Sequence, residues 1–296
     1  MAGAGIAGAA APRVTAIVLN WCNEADTAAC LNSLASSHYE ALTVLLVDNG
    51  SPDGSGERLH RRFPVTPFLQ TGSNLGYAEG NNRGIKWALG NGADFVLVLN
   101  NDTVIDPDCI GVLVRASTET GASVAAPQIL YFNEPDRVWY GGGVFSTMRA
   151  MGLHLRENEP LDASHQRIPI TFACGCCFII RSDVLRTLGG FDPSYFAYVE
   201  DAELSLRLAR AGQAMIYDPA ARVLHRINRG AQSTPFQIRQ RDRNRRRLVA
   251  RHYGTADRLR FAAWFYPTRV VHFARYVVRR QWKHAQAIVT GALSRV

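Results

Sequence analysis

The sequence predicts an α/β protein in which a mostly parallel, Rossmann-like sheet is flanked by helices and followed by a basic helical extension. In the first half, short runs rich in β-branched residues alternate with helical stretches, which is typical of a parallel sheet covered by helices. The 296 residues are 47% hydrophobic and 20% charged, the composition of a packed globular protein rather than a disordered or fibrous one. Charge divides the chain in two: residues 1–225 hold 16 Lys and Arg against 23 Asp and Glu, whereas residues 226–296 hold 17 against 2.

Near-continuous apolar runs predict the buried strands. These runs are Val14–Asn20, Thr43–Asp48 and Phe95–Asn100, and Pro67–Gln70 is a shorter candidate. A helix is expected after the first run, and a second from Asn81 to Leu89, after a loop that includes Gly72 to Gly80. Farther along, a helix is expected to start near Glu200 and a strand to lie near Ala214 to Tyr217.

Polar side chains follow three of these predicted strands. Asn20 and Asp48 end the first two, and the run Asn100-Asn101-Asp102 ends the strongest later one. Ligands of open α/β sheets collect at the carboxyl ends of the strands, so we expect these groups on one rim. Neither a Gly-x-Gly-x-x-Gly dinucleotide fingerprint nor a Gly-Lys-Ser/Thr phosphate loop is found, which disfavours NAD enzymes and P-loop NTPases. Carboxylates and carboxamides suit ribose hydroxyls, base edges and a hard divalent cation.

The chain ends and the cysteines bear on localisation. Residues 1–12 are rich in Ala and Gly and are predicted to be a flexible tail, and they lack the basic region of an export signal. The sequence contains no run of eighteen apolar residues, so no membrane-spanning helix is predicted. Six cysteines are too few for a disulfide scaffold and are expected to be reduced. We therefore expect a cytoplasmic protein.

A series of motifs between about Val14 and Ser233 resembles the bacterial family 2 glycosyltransferases of GT-A fold, especially the rhamnosyltransferase-like branch. Each motif is weak alone, but all of them occur in order and at family-like intervals. They are Val47-Asp48-Asn49-Gly50-Ser51, Asn74-Leu75-Gly76-Tyr77-Ala78-Glu79-Gly80-Asn81, Leu99-Asn100-Asn101-Asp102, Gly189-Gly190-Phe191-Asp192, Tyr198-Val199-Glu200-Asp201-Ala202-Glu203-Leu204 with Arg207, and His225.

The resemblance implies a fold, a domain plan and an activity. Residues 13–235 would form a GT-A catalytic domain, with a nucleotide-binding half at about 13–110 and an acceptor half at about 111–235. The activity would be inverting, metal-dependent transfer of a sugar from a nucleoside-diphosphate donor to a hydroxyl of a saccharide or polyprenyl-diphosphate-linked acceptor, in cell-surface polysaccharide synthesis. Rhamnose from dTDP-rhamnose is the preferred donor, and a UDP-sugar is an alternative.

The family pattern also implies a metal and donor site. Asp102 stands at the last position of the family's Asp-x-Asp motif and would hold Mg²⁺ or Mn²⁺ together with His225; the motif departs from the family in having Asn100 first. Asp48 would bind the base or ribose, and Arg229 offers a planar fork for phosphate oxygens. The remaining candidate donor-binding residues are Asn20, Asn74, Gly76, Asn81, Asn100 and Asn101.

The same resemblance implies the catalytic and acceptor residues. Asp201 would be the base that takes the proton of the acceptor hydroxyl, and Glu200 would support it or bind acceptor. Gly175, with small Cys neighbours, together with Trp139 and Tyr140, would border the acceptor.

Structural interpretations of these residues stay open beside the functional ones. Asp48 could initiate a turn, Asp102 could cap a helix at Thr103–Ile105, and His225 could be a structural histidine. Glu200 and Asp201 could complement a helix dipole. For the whole protein, the rival hypothesis is a non-catalytic protein that binds a nucleotide or glycan on the same rim.

Residues 236–296 are predicted to form a basic amphipathic helical extension. A helix with seven arginines is expected from Arg239 to Arg251, followed by a mixed aromatic and cationic stretch from Phe261 to Val278. Two interpretations carry equal weight: peripheral contact with an anionic membrane at the inner face of the cell membrane, or a hairpin packed on the catalytic domain with a solvated basic face. Nucleic acid is not an expected partner, and oligomeric state is not encoded in any motif.

Overall fold

The computed structural model describes residues 10–162, 164 and 166–296, so most of the predicted tail, residues 1–9, lies outside the described part. Its main sheet is mixed. The strands of its first half are β1 (Val14–Asn20), β2 (Leu42–Asp48), β3 (Phe68–Gln70), β4 (Phe95–Asn100) and β5 (Thr103–Ile105). Those of its second half are β6 (Val124–Tyr131), β7 (Glu134–Tyr140), β10 (Ile168–Ile170), β11 (Cys177–Arg181) and β12 (Met215–His225), while β8 (Gly143–Ser146) and β9 (Met151–His154) pair separately.

Parallel pairing is confined to two parts of the sheet. Strands β4, β1, β2 and β3 lie side by side in parallel, as the apolar runs predict. The prediction of a mostly parallel sheet is too simple for the second half, because β11 runs antiparallel between β4 and β6. Strand β12 returns parallel to β6. The register pairs Asn20 with Asp48 and Leu19 with Asn100, so the polar strand ends do meet at one edge.

Helices flank the sheet. The helices that precede the C-terminal segment are α1 (Glu24–Ala35), α2 (Ser55–Arg62), α3 (Gly76–Gly90), α4 (Cys109–Thr120), α5 (Ser182–Leu188) and α6 (Glu200–Arg210). Helix α6 begins at Glu200, as predicted, whereas α3 begins at Gly76 rather than Asn81. The earlier start follows from Asn74, whose side-chain oxygen accepts the Gly76 N–H at 2.9 Å. The segment predicted to be a loop is therefore partly helical.

Two further boundaries differ from the predictions. The strand expected near Ala214 to Tyr217 continues to His225 through an irregularity between Asp218 and Arg222. Thr103–Ile105 is a strand, β5, that pairs antiparallel with the end of β12, so Asp102 does not cap a helix. The β5–β12 pair sets Thr103 opposite His225.

The C-terminal segment is wholly helical through α7 (Pro235–His252), α8 (Thr255–Val278) and α9 (Trp282–Leu293). Helix α7 begins with a capping box between Thr234 and Gln237. Buried residues of α7 and α8, including Leu248, Phe261 and Phe265, belong to the same hydrophobic core as the sheet. The extension is therefore packed on the part of the chain that forms the sheet. Among the described residues no helix has the length and apolar content needed to cross a bilayer.

Candidate active site

Asp48 is the centre of a buried polar cluster at the sheet edge. Its carboxylate accepts hydrogen bonds from Asn20 at 2.8 Å, from the Ser51 hydroxyl at 2.6 Å and from Gln70 at 2.7 Å. Asn20 and Asp48 are both fully buried. Gly56 of α2 lies directly against Asp48, since a Cβ there would come within 2.2 Å of the carboxylate carbon. Asn20 and Asp48, both predicted to bind the nucleotide-sugar donor, thus form the floor of the site. A nucleotide could hydrogen-bond to Asp48 only if it replaced one of these side-chain partners.

The N-terminus of α3 lies beside this cluster. Asn49 donates to the Asn74 side chain at 3.2 Å and to the Gly76 carbonyl at 3.1 Å. Asn74 is exposed, so it remains available to a ligand. Asn81, in contrast, is fully buried in α3, and its amide donates to the Tyr77 carbonyl. The predicted direct contact of Asn81 with the nucleotide-sugar donor does not fit this burial.

The Asn100-Asn101-Asp102 run occupies the turn between β4 and β5. The Asn101 amide donates to the Thr27 hydroxyl at 2.7 Å, and Thr27 in turn donates to Asn20 at 2.9 Å. The Asn100 N–H donates to the Cys176 carbonyl at 2.8 Å, which ties this turn to the segment before β11. Asn101 therefore links the run to the buried floor, while Asp102 stays partly exposed.

Asp102 and His225, predicted as the metal pair, lie side by side. The Asp102 Oδ1 to His225 Nε2 distance is 3.3 Å, and the Arg226 N–H donates to the Asp102 carbonyl at 2.9 Å. His225 is buried, and Trp139 packs edge-on against its ring at 4.5 Å. Asp102 Oδ1 and His225 Nδ1 are both buried without a hydrogen-bond partner.

This pair fits a divalent cation. Two adjacent ligands of an octahedral Mg²⁺ at 2.0–2.1 Å would be about 3 Å apart, close to the observed O···N spacing. No cluster of three or more His, Cys, Asp or Glu ligands occurs among residues 10–162, 164 and 166–296. A cation held here would need oxygens from a diphosphate or water to complete its shell, which is the usual situation of Mg²⁺ in phosphate-binding enzymes.

Glu200 and Asp201 open helix α6 next to Gly175. The Gly175 N–H donates to Asp201 Oδ2 at 2.9 Å, and the Ala202 N–H donates to Oδ1 at 2.8 Å. Burial raises the pKa of the Asp201 carboxyl, and these backbone hydrogen bonds only partly offset it. Burial, and then the neighbouring Asp201, raise the pKa of Glu200 well above its usual range; its Oε2 has no hydrogen-bond partner. Both carboxyls therefore bind a proton more tightly than an exposed carboxyl does.

The predicted acceptor residues differ in accessibility. A Cβ at Gly175 would lie 3.3 Å from the Asp201 Cβ, so Gly175 permits a close approach to the carboxylate. Trp139 is partly exposed and lies between the rings of His154 and His225. Tyr140 is fully buried, and its hydroxyl donates to the Phe172 carbonyl at 2.7 Å. The prediction that Tyr140 touches acceptor is therefore wrong for this structure, since its side chain has no surface to offer.

Arg229 lies at the edge of the site and is engaged in an ion pair. Its guanidinium is 3.0 Å from Glu134, and its side chain is about half exposed. Phosphate binding by Arg229 would have to displace or share this partner.

Three site residues escaped the sequence reasoning. Tyr77 donates to the Gly175 carbonyl at 2.6 Å, and burial, followed by Glu200, raises the pKa of its hydroxyl. Its position inside the Asn74–Asn81 motif was the available signal. Gln70 ends β3 beside Asp48, so its strand-end position could have revealed it. His154, whose pKa burial lowers to about 4, packs against Trp139, and no local pattern indicated it.

Comparisons with known proteins agree with this geometry. The model of the glycosyl transferase family 2 matches residues 16–189. The N-acetylglucosaminyl-diphospho-decaprenol L-rhamnosyltransferase of Mycobacterium tuberculosis is 32% identical over 224 residues, which are 66% of this chain and 70% of that protein.

Solved structures show the fold. The mannosyltransferase PcManGT from Pyrobaculum calidifontis, in complex with GDP-Man and Mn²⁺, aligns with a TM-score of 0.59 at 15% identity over 95% of this chain and 86% of its own. GalNAc-T7 with UDP, GalNAc and Mn²⁺ aligns with a TM-score of 0.65 at 14% identity over 81% of this chain and 48% of its own, so this chain spans about half the length of that protein. Because the family model covers more than half of the chain and the rhamnosyltransferase is a substantial relative, the chain belongs to glycosyl transferase family 2, as a glycosyltransferase of GT-A fold in the rhamnosyltransferase-like branch.

Proposed function

We propose that the chain transfers a sugar from a nucleoside-diphosphate donor to a hydroxyl of a saccharide or lipid-linked acceptor, with inversion at the anomeric carbon. One observation supports this most: hydrogen bonds connect the segment that carries Asp102 to the segment that holds the Asp201 carboxyl. Asn100, two residues before Asp102, bonds to Cys176, and the adjacent Gly175 bonds to Asp201. This connection supports a site in which Asp102 and His225 would act on the diphosphate and Asp201 would act on the acceptor hydroxyl.

Asp102 and His225 would hold Mg²⁺ or Mn²⁺. A bound cation would offset the negative charge that develops on the departing nucleoside diphosphate. The protein's part is to supply one carboxylate and one imidazole at a fixed spacing, with the His225 ring kept in place by Trp139.

Asp201 would act as the general base. The acceptor hydroxyl oxygen forms a bond to the anomeric carbon, the bond from that carbon to the diphosphate oxygen breaks, and the hydroxyl proton passes to the Asp201 carboxylate. The raised pKa of Asp201 makes it a stronger base than an ordinary aspartate once it is ionised. Glu200, with its unpartnered Oε2, would bind the acceptor or support Asp201.

We further propose dTDP-rhamnose as donor and a polyprenyl-diphosphate-linked saccharide as acceptor. The rhamnosyl group and the lipid-linked acceptor are proposed from the relative named N-acetylglucosaminyl-diphospho-decaprenol L-rhamnosyltransferase, and dTDP as the carrier is proposed from the family resemblance of the sequence motifs. An acceptor of this kind would lie in a membrane, and helix α8 offers a matching face. Its exposed apolar side chains include Leu259, Val270, Val271 and Val278, and Arg275 and Arg279 are exposed on the same helix or at its end. Peripheral contact with an anionic leaflet is the proposed use of this face.

The test is a transfer assay with dTDP-, UDP- and GDP-sugars, with and without EDTA, on wild type, Asp201→Asn and Asp102→Asn. We expect activity that EDTA abolishes and Mn²⁺ restores, and a loss of about 10²–10⁴-fold for Asp201→Asn. Asp183→Asn, an exposed aspartate paired with Arg181, is the matched control. Turnover that is insensitive to both EDTA and the Asp201 change would overturn the mechanism, and preference for a UDP-sugar would overturn the donor assignment alone.

A further inference from the structure

The backbone immediately before Glu200–Asp201 is held in an unusual conformation. Phe196, Tyr198 and Val199 have φ values of 58°, 69° and 74°, in the left-handed region. Such a conformation costs about 1–3 kcal/mol for a residue other than glycine, and it is rarest for β-branched residues such as valine. It persists only where surrounding contacts over-determine it.

A single buried side chain of the C-terminal extension supplies three hydrogen bonds to this segment. Asn244 of α7 is fully buried, and its amide nitrogen lies 2.7 Å from the Tyr195 carbonyl, 2.9 Å from that of Ala197 and 2.8 Å from that of Tyr198. An amide group has two hydrogens, so the three carbonyls share them. Tyr195 and Ala197 directly precede the left-handed residues Phe196 and Tyr198, and Tyr198 is itself left-handed, so the three hydrogen bonds orient the peptide groups of this turn.

Two arginines on the same face of α7 extend the grip. Arg247 donates to the Ser194 carbonyl, and Arg251 donates to the Asp192 carboxylate and to the Ser194 hydroxyl. Positions 244, 247 and 251 follow the i, i+3, i+7 spacing of one helical face.

The opposite side of the segment contacts α3. The Phe196 carbonyl accepts the Ala78 N–H at 3.2 Å, and a Cβ at Gly76 would lie 2.5 Å from that carbonyl. The segment that precedes α6 is therefore in contact with α7 of the extension and with α3.

We propose that Asn244 is a positioning residue for Asp201: its amide fixes the left-handed turn that sets the start of α6, and thereby the base, against Gly175. The inference rests on the proposed role of Asp201. Asn244 touches neither substrate nor the reacting atoms. Its loss would let the 195–199 segment relax and displace the base, and a shift of about 1 Å in a reacting group can cost about 10²-fold in rate.

The experiment compares Asn244→Ala and Asn244→Ser with Arg246→Ala. Arg246, on the same helix, donates instead to the Gly291 and Ser294 carbonyls at the end of α9, so it reports the cost of loosening the extension alone. We expect Asn244→Ala to lower kcat about 10²-fold with the donor KM within twofold of wild type. Asn244→Ser, which retains one donor, should lie between them, and Arg246→Ala should keep kcat within twofold.

Melting temperatures identify which variants are folded, and Asn244→Ser is the milder test if the alanine variant is not. An unchanged kcat in a folded Asn244 variant of an active enzyme overturns the inference alone. A loss of rate matched by Arg246→Ala, or one expressed only in KM, also overturns it. A wild type inactive with every donor would instead indicate failure of the proposed function.

Discussion

At the scale of single residues, burial of the Glu200 carboxyl carries a free-energy cost for folding. Its carboxyl is buried beside Asp201, and one of its oxygens has no hydrogen-bond partner. Burial, and then the adjacent carboxylate, raise its pKa well above the ordinary value. Groups with strongly raised pKa values concentrate at functional sites, because catalytic acids and bases need pKa values matched to their task. The burial that raises the pKa also weakens the folded state at pH values where the unfolded carboxyl is ionised.

This cost predicts a pH-dependent effect of Glu200→Gln on stability. A carboxyl whose pKa is higher in the folded than in the unfolded state penalises folding as pH rises above the unfolded value of about 4.3, because the unfolded chain releases its proton first. The penalty is absent below that pH and grows until the folded group ionises. We therefore expect the melting temperature of Glu200→Gln minus that of wild type to increase between pH 4 and pH 8, by at least about 2 °C.

Glu159→Gln is the control, since Glu159 is exposed. Its melting temperature should follow that of wild type across the same range. A Glu200→Gln difference that stays constant with pH would contradict the raised pKa.

The residue scale also marks what the sequence could and could not predict. Asp48, Asp102 and His225 were identified from strand ends and the family pattern, and the predicted proximity of Asp102 to His225 is confirmed by their 3.3 Å contact. Their roles stay predictions. The burial of Asn81 and Tyr140 was not predictable, because a single sequence shows which residue types a motif contains but not which neighbours cover them.

At the scale of elements, the start of helix α3 is predicted as a loop because its glycines are typical of loops, but here they serve close packing of a helix. Gly76, Gly80 and Gly84 are four residues apart, so they share one face of the helix. A Cβ at Gly80 would lie 2.8 Å from Leu19, and one at Gly84 would lie 2.6 Å from Ile17. Gly80 and Gly84 allow α3 to approach β1 closely, whereas Gly76 lies against Phe196.

This packing predicts that Gly84→Ala destabilises the protein. The nearest atom, Ile17 Cγ2, belongs to a fully buried β-branched side chain that cannot rotate away, so the backbone would have to shift. We expect a loss of about 1–3 kcal/mol in the free energy of unfolding, as for other overpacked cores, measured by urea denaturation.

Gly90→Ala provides the matched control in the same helix. No atom lies within 4 Å of a Cβ there, so the change should leave stability unaltered or raise it by up to about 1 kcal/mol. Equal effects of the two alanines would show that helix propensity rather than close packing decides the outcome.

Element boundaries were predicted best where the apolar pattern is strong. Strands β1, β2 and β4 agree with the predicted ranges to within a residue. The β5–β12 pair was missed because β5 has three residues and depends on partners distant in sequence. The antiparallel direction of β11 departs from the predicted mostly parallel sheet, because strand direction follows from the chain connections and leaves no local signal in the sequence.

At the scale of the whole molecule, the basic extension packs on the preceding part of the chain and also exposes apolar side chains at the surface. Several of its arginines are engaged inside the protein: Arg245 is buried against Asp242 and the Arg149 carbonyl, and Arg247 and Arg251 bond to the segment before α6. These arginines therefore hold α7 against the preceding part of the chain, as the hairpin interpretation expects, but they do not form the solvated basic face that it also expects. Helix α8 leaves apolar side chains exposed instead.

This division excludes deletion of the extension as a clean test of membrane contact. Removing residues 239–296 would also remove Asn244 and the core residues Leu248, Phe261 and Phe265, so loss of binding could reflect loss of the fold. Substitutions confined to exposed side chains of α8 avoid this problem.

We expect the double variant Val270→Ser and Val271→Ser to weaken sedimentation with phosphatidylglycerol vesicles by about tenfold or more. Both side chains are about two-thirds exposed, at 67% and 65%, and each valine buried in the headgroup boundary contributes about 1.5 kcal/mol or more when fully withdrawn from water. Asp257 is the only acidic side chain among the residues of α8, so the helix attracts an anionic surface. Val65→Ser, 93% exposed in the connection between α2 and β3, is the control and should bind as wild type does.

Weak binding of wild type to these vesicles would contradict the proposal. Self-association through α8 that the double variant abolishes would also contradict it, because this face of the helix would then join two copies of the chain. Retained transfer to a water-soluble acceptor by the double variant would show that the change acts on membrane contact and leaves the site intact.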